Sequence, residues 1–189
     1  GDCPMSTLSV DTIQGKTTAG TVAMPAGVII QTVNFTTNTQ VDTNTSTFTN
    51  TGLSGTITPK FASSKIYVTA FQQFRLSGVH DHGVGFKIMR TIGGTASVVY
   101  DPQTRYEYYY YDGTANNTSD ERHDRMPIFA VDSPNTTSAC TYDIQYGSMR
   151  TDNSNNIKMQ NNSNFSMGYL METGQFLEPL SQTKELFLS

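Results

Sequence analysis

The stretch SKIYVTAFQQFRL, residues 64–76, sets Ile66, Val68, Ala70, Phe74 and Leu76 in alternation with Thr69, Gln73 and Arg75. A period of two is that of a strand with one buried face, and it is incompatible with a helix, whose apolar positions recur every three to four residues. The pattern returns in ACTYDIQY, where Cys140, Tyr142, Ile144 and Tyr146 alternate with Thr141, Asp143 and Gln145. In FSMGYLM it groups Phe165, Met167, Tyr169 and Met171. Between these runs lie YDGTANN, VDSPNTTS and TDNSNN, whose Asn, Asp, Gly and Pro suit tight turns. No segment carries a sustained helical period. Many short strands separated by turns predict an all-β fold, an antiparallel β-sandwich of jelly-roll type.

The sandwich is expected over residues 34–172. Ile66, Val68, Phe74, Phe86, Ile88, Ile128, Phe129, Val131, Tyr142, Ile144 and Tyr169 are expected in or beside its core. Residues 5–33 mix β-prone pieces with Gly15, Gly20, Pro25 and Gly27 and are too poor in apolar groups to fold alone, so they read as an attachment or oligomerisation segment. Residues 173–189 form a tail rich in Phe and Leu. Residues 1–4, GDCP, read as a cloning remnant ahead of a natural start at Met5, with no signal peptide before it. Cys3 and Cys140 are too few for a disulfide framework, and Cys140 is assigned to the core.

Only 15% of the residues are charged and the formal net charge is −4, which leaves no basic footprint for nucleic acid. No run approaches the ~18 apolar residues of a membrane span, so membrane insertion is not expected. No phosphate-binding glycine loop, serine elbow, HExxH helix or paired zinc cysteines occur, so the chain is expected to be a binder without a cofactor rather than an enzyme. Two carboxylates converging from separate loops would instead make a glycan-cleaving enzyme.

RYEYYYYDG, residues 105–113, is the candidate binding motif. Alternation puts Tyr106, Tyr108 and Tyr110 on one face and Tyr109 and Tyr111 on the other. Such a strand is aromatic on both sides, and one side needs a partner. Tyrosine offers a flat ring and a hydroxyl, which suits a sugar, a protein receptor or a subunit interface. The charged run NNTSDERHDR, residues 116–125, reads as a solvated loop, with calcium through Asp112, Asn116, Asp120 and Asp124 as the alternative. In VHDHGVGF, His80 and His82 share a strand face with Val84, Phe86 and Ile88, while Asp81, Gly83 and Gly85 take the other. The pair reads either as polar residues at a strand end or as metal ligands.

The opening STLSVDTIQGKTTAGTVAMPAG, with TGLSGTITPKFASSKIYV, VDSPNTTSACTYDIQY and SNFSMGYLMET, resembles a family of virion proteins of marine bacteriophages, of the short tail-fibre or receptor-binding type. The resemblance runs over most of residues 6–172 and is most specific at residues 6–27 and 52–68. A looser similarity of architecture links it to the trimeric jelly rolls of the C1q and tumour-necrosis-factor type. The resemblance implies a homotrimer in the virion, made in the host cytoplasm. Its N-terminal segment would meet other virion proteins, and its sandwich would meet a host cell-surface glycan or protein. A capsid decoration or connector is the structural alternative. The His-x-His metal sites of some long tail-fibre tips are similar to His80 and His82. Three such pairs on a three-fold axis would offer imidazole nitrogens suited to a transition metal such as iron or nickel.

Overall fold

The computed structural model describes residues 28–78, 81–111, 120–149, 156–161 and 164–174. Eleven strands run in chain order: β1 Ile29–Thr37, β2 Val41–Thr43, β3 Thr49–Ile57, β4 Lys65–Gly78, β5 His82–Ile92, β6 Thr95–Tyr100, β7 Tyr108–Tyr110, β8 Asp120–Asp132, β9 Cys140–Ser148, β10 Asn156–Met159 and β11 Ser166–Thr173. They make two antiparallel sheets, and no α-helix occurs among the described residues. The first, sheet A, has the order β1-β11-β4-β8. Beyond Gln73, β4 exchanges β11 for β10, which in turn carries β2. The second, sheet B, has the order β3-β9-β5-β6, with the short β7 also paired to β5. The two orders β1-β11-β4-β8 and β3-β9-β5-β6, with the chain crossing between the sheets at β2–β3, β3–β4, β4–β5, β7–β8, β8–β9 and β9–β10, are those of a jelly roll. The expected all-β sandwich is therefore observed, and it already includes Ile29–Val33 within β1.

The alternation in β4 and β9 is realised as read. Ile66, Val68, Ala70, Phe74 and Leu76 meet Cys140, Tyr142, Ile144 and Tyr146 between the sheets, all at 1% exposure or less. Cys140 is a buried free thiol whose pKa burial pushes up. The Phe35 ring fits only because Gly55 and Gly168 lack side chains, since a Cβ on either would collide with it. A bridge spans the sheets here: Asp132 on β8 accepts from Arg90 Nη1 at 2.8 and 2.7 Å and from the Tyr142 hydroxyl at 2.7 Å.

Three core assignments are corrected. Phe129 and Val131 are 60% and 55% exposed, because Ile128 and Ala130 take the inward positions of β8 opposite Ala70 and Val68. A strand buries every second residue, so Ile128 and Phe129 cannot both face the core. Tyr169 is likewise turned outward. The inward positions of β11 are Ser166, Gly168, Leu170 and Glu172, all buried. They are mostly small or polar for physical reasons. Gly168 makes room for Phe35, Ser166 Oγ accepts from the Gln73 amide at 3.0 Å and from Gln72 Nε2 at 2.9 Å where β10 and β11 part, and Glu172 Oε1 takes the Lys60 amide at 2.7 Å and Ser64 Oγ at 2.6 Å.

Candidate functional site

Part of the outer face of sheet B carries a loop instead of side chains. Gly83 and Gly85 on β5 and Gly147 on β9 leave a bare strip, and the backbone of Thr104 and Arg105 lies on it. An added Cβ at Gly83 would stand 2.7 Å from the Arg105 carbonyl oxygen, and one at Gly85 would run into the Thr104 carbonyl. The loop between β6 and β7 is tied down at both ends. Asp101 pairs with Lys87 Nζ at 2.7 Å and accepts the Gln103 amide at 2.9 Å, and these contacts hold its carboxyl below the usual range. Glu107 accepts the Phe86 amide and the Tyr100 hydroxyl, and that hydrogen bond, with burial, pushes the Tyr100 pKa up to about 12. Between these anchors Arg105 donates to the Ser46 carbonyl from Nε at 3.0 Å and Nη2 at 2.7 Å, with its guanidinium 4.3 Å over the Phe48 ring.

The five tyrosines then divide, though not by simple alternation. Only Tyr108–Tyr110 is strand, so Tyr106 does not share the face of Tyr108 and Tyr110 as expected. Tyr108 is half-buried edge-on against Phe74, with centroids 4.9 Å apart, and burial raises its pKa. Tyr110 is half-buried beneath the Arg122 guanidinium, whose Nη2 donates to its hydroxyl at 2.7 Å. Tyr106, Tyr109 and Tyr111 remain 59%, 44% and 66% exposed. The Tyr106 and Tyr109 rings stand 5.6 Å apart at 44°, and the Tyr109 hydroxyl donates to Asp81 at 3.0 Å. Beside Tyr106 lies an open depression of about 390 Å³, lined among others by Ser46, Gln103, Thr104, Arg105 and Met149. Sequence reading found the tyrosines, with Arg105 at the head of the motif but given no role, and missed Gln103 and Thr104. The closely spaced Gly83 and Gly85 were the available signal, since strand glycines mark the close approach of another backbone.

His82 opens β5 and is 2% exposed, turned inward with Val84, Phe86 and Ile88. His80 lies outside the described residues, as do Asp112 and Asn116 of the calcium alternative. Among the described residues no group of three or more His, Cys, Asp or Glu is placed to hold a metal. The charged run is corrected in part: residues 120–125 are not a loop but the first half of β8, paired with Gln73–Gly78, and Glu121 to Arg125 are exposed on it. Arg75 pairs with Glu121, which draws the Glu121 carboxyl down.

The outer face of sheet A is different in kind. Cross-strand register sets Met171, Tyr67 and Val131 in one row, Tyr169, Thr69 and Phe129 in the next, and Met167, Phe71 and Pro127 in the third. Eight of these nine positions are non-polar. Tyr67, Phe71, Phe129 and Val131 are 40–60% exposed, and the Phe71 and Phe129 rings meet edge to face at 6.5 Å. The rim is polar, with Asn34 and Thr36 on β1 and with Arg75, His123 and Arg125 beyond the third row.

No protein-family model matches the sequence, and no curated protein is significantly similar to it. The chain is similar to a chain in the solved structure of infectious bursal disease virus, Gx strain, at 10% identity and a TM-score of 0.32. The alignment covers 90% of this chain and 42% of that one, so this chain spans less than half the length of its neighbour. A likeness of that size carries no argument about function.

Proposed function

We propose that the chain is a non-enzymatic structural protein of a bacteriophage virion, a homotrimeric tail-fibre or receptor-binding protein that attaches the particle to its bacterial host. The virion assignment draws on the sequence resemblance. The observation that carries the assembly is the apolar array on the outer face of sheet A. A contiguous exposed apolar surface with a polar rim has the anatomy of a protein interface, and a cyclic trimer would cover three copies of it at once. The opposite face, with its exposed Tyr106, Tyr109 and Tyr111, would then point away from the contact and be free for a receptor. In a capsid decoration or connector the same array would dock on another virion protein.

Light scattering at micromolar concentration tests the assembly. Three chains per particle are expected, falling to one in Phe129→Glu/Val131→Glu. Both residues are exposed, so the monomeric variant should keep its β-sheet circular dichroism. A monomeric native protein overturns the trimer. Antibody labelling of the virion separates the roles, with fibres supporting attachment and capsid faces supporting decoration.

A further inference from the structure

The depression beside Tyr106 has a charge character that its surroundings make specific. Two carboxylates of the same loop are already engaged, Asp101 by Lys87 and the Gln103 amide, with the Arg105 charge also acting on it, and Glu107 by Tyr100 and the Phe86 amide. Arg105 is not used up. A guanidinium has five N–H donors, and its two hydrogen bonds to Ser46 take one from Nε and one from Nη2. Three donors therefore remain without a partner among the described residues. The same two bonds, with Phe48 packed against the guanidinium plane, hold it in place before any ligand arrives. Next to it stands the exposed ring of Tyr106, tilted toward Tyr109, and the rest of the wall is neutral, made of Ser46, Gln103, Thr104, Ser148 and Met149. The volume, about 390 Å³, lies within the span of small-ligand sites.

We infer that this depression binds a carboxylate-bearing pyranose of a surface polysaccharide, with the sugar ring laid on Tyr106 and the carboxylate held by the open donors of Arg105. The inference rests on the receptor-binding reading above and specifies its ligand class. A fixed planar fork recognises a carboxylate with two parallel charge-assisted hydrogen bonds, which a neutral sugar cannot accept. An aromatic ring gives the apolar contact for the carbon face of the pyranose. Gln103 and Thr104 offer amide and hydroxyl groups for the ring hydroxyls.

The test uses saturation-transfer NMR and titration calorimetry on the full chain. The probes are hexuronate and nonulosonate oligosaccharides, each paired with its carboxyl-reduced counterpart. The carboxylated member of at least one pair should bind at least tenfold more tightly, and the preference should shrink as salt is raised. Arg105→Gln should abolish the preference, and Arg105→Lys, which keeps the charge without the fork, should retain part of it. Tyr106→Ala should weaken both members of the pair, and it serves as the second variant should Arg105→Gln lower the melting temperature. Equal binding within every pair, or an Arg105→Gln variant with native preference, overturns the inference. In a parallel arm, adsorption to a panel of bacterial isolates is measured for the native chain and for Tyr106→Ala/Tyr109→Ala/Tyr111→Ala. If adsorption falls in the triple variant but no carboxylate preference exists, the receptor face stands and its acidic ligand does not. If adsorption is unchanged, both fall. Purified capsule and lipopolysaccharide of an adsorbing isolate, added as competitors, identify the source, and failure of both to compete also counts against the inference.

Discussion

Gly83→Ala should lower the melting temperature even though alanine is the better strand residue. On an open strand the exchange would gain about 0.5–1 kcal/mol from the conformational freedom glycine surrenders on folding. Here the new Cβ would stand 2.7 Å from the Arg105 carbonyl oxygen, 3.2 Å from that of Tyr108 and 3.3 Å from Met149 Cβ. Ordinary contact begins near 3.4 Å, so the loop backbone must lift by roughly 0.7 Å. Overpacking of this kind costs about 1–3 kcal/mol. The net is a loss of up to about 2.5 kcal/mol, about 1 kcal/mol at mid-range, or roughly 2–4 °C for a chain of this size. Differential scanning calorimetry reads it directly. The order is as informative as the size. Gly85→Ala should cost more, since its Cβ meets the Thr104 carbonyl more closely, and Gly147→Ala less, since its nearest atom, the Ser46 carbonyl oxygen, is 3.1 Å away. A Gly83→Ala variant as stable as the native protein, or more so, would mean that the loop does not rest on β5 and would refute the account of how the site is held.

Tyr142→Phe removes a buried hydroxyl that donates to Asp132 at 2.7 Å, and the loss of about 1–2 kcal/mol should appear as an earlier urea midpoint with an unchanged slope. Asp101 titrates below its ordinary 3.8 because of Lys87 first and the Gln103 amide second. Its folded pKa is depressed, so its contribution is fully present above about pH 4 and is lost as pH falls through the lowered value. Melting curves at pH 5 and near pH 3 should therefore differ less in Asp101→Asn than in the native protein. Because the His82 imidazole is 2% exposed, protein purified without a polyhistidine tag should carry fewer than one transition-metal ion per three chains by elemental analysis. One ion per three chains, lost in His82→Ala, would overturn this expectation.

The strand content and much of the core were legible in the sequence because burial in a sheet has a strict period. Ile66, Val68, Phe74, Phe86, Ile88, Ile128, Tyr142 and Ile144 are all inside. What the pattern could not convey is which face of a doubly apolar strand turns inward. In β8, Ile128 and Phe129 are equally apolar neighbours, and only the register with Val68 and Ala70 puts Ile128 in and Phe129 out. In β11 the apolar stripe Met167, Tyr169, Met171 is the outer one, because the inner face accommodates the Phe35 ring and a hydrogen-bonded branch point.

The site shows the same division. A run of tyrosines predicts that some of the rings stay outside the core, since a strand buries only every second residue. Which rings are offered depends on contacts remote in sequence, with Tyr108 against Phe74 and Tyr110 under Arg122, while Tyr106, Tyr109 and Tyr111 stay exposed. The position of Arg105 depends on three glycines from two other strands and on a carbonyl at Ser46. By itself, then, the sequence determined an all-β chain and its alternating strands, because backbone hydrogen bonding and side-chain period are local properties. Only the tertiary structure decided which apolar face stays exposed and which polar groups meet, because pairing register and loop seating are set by residues dozens of positions apart.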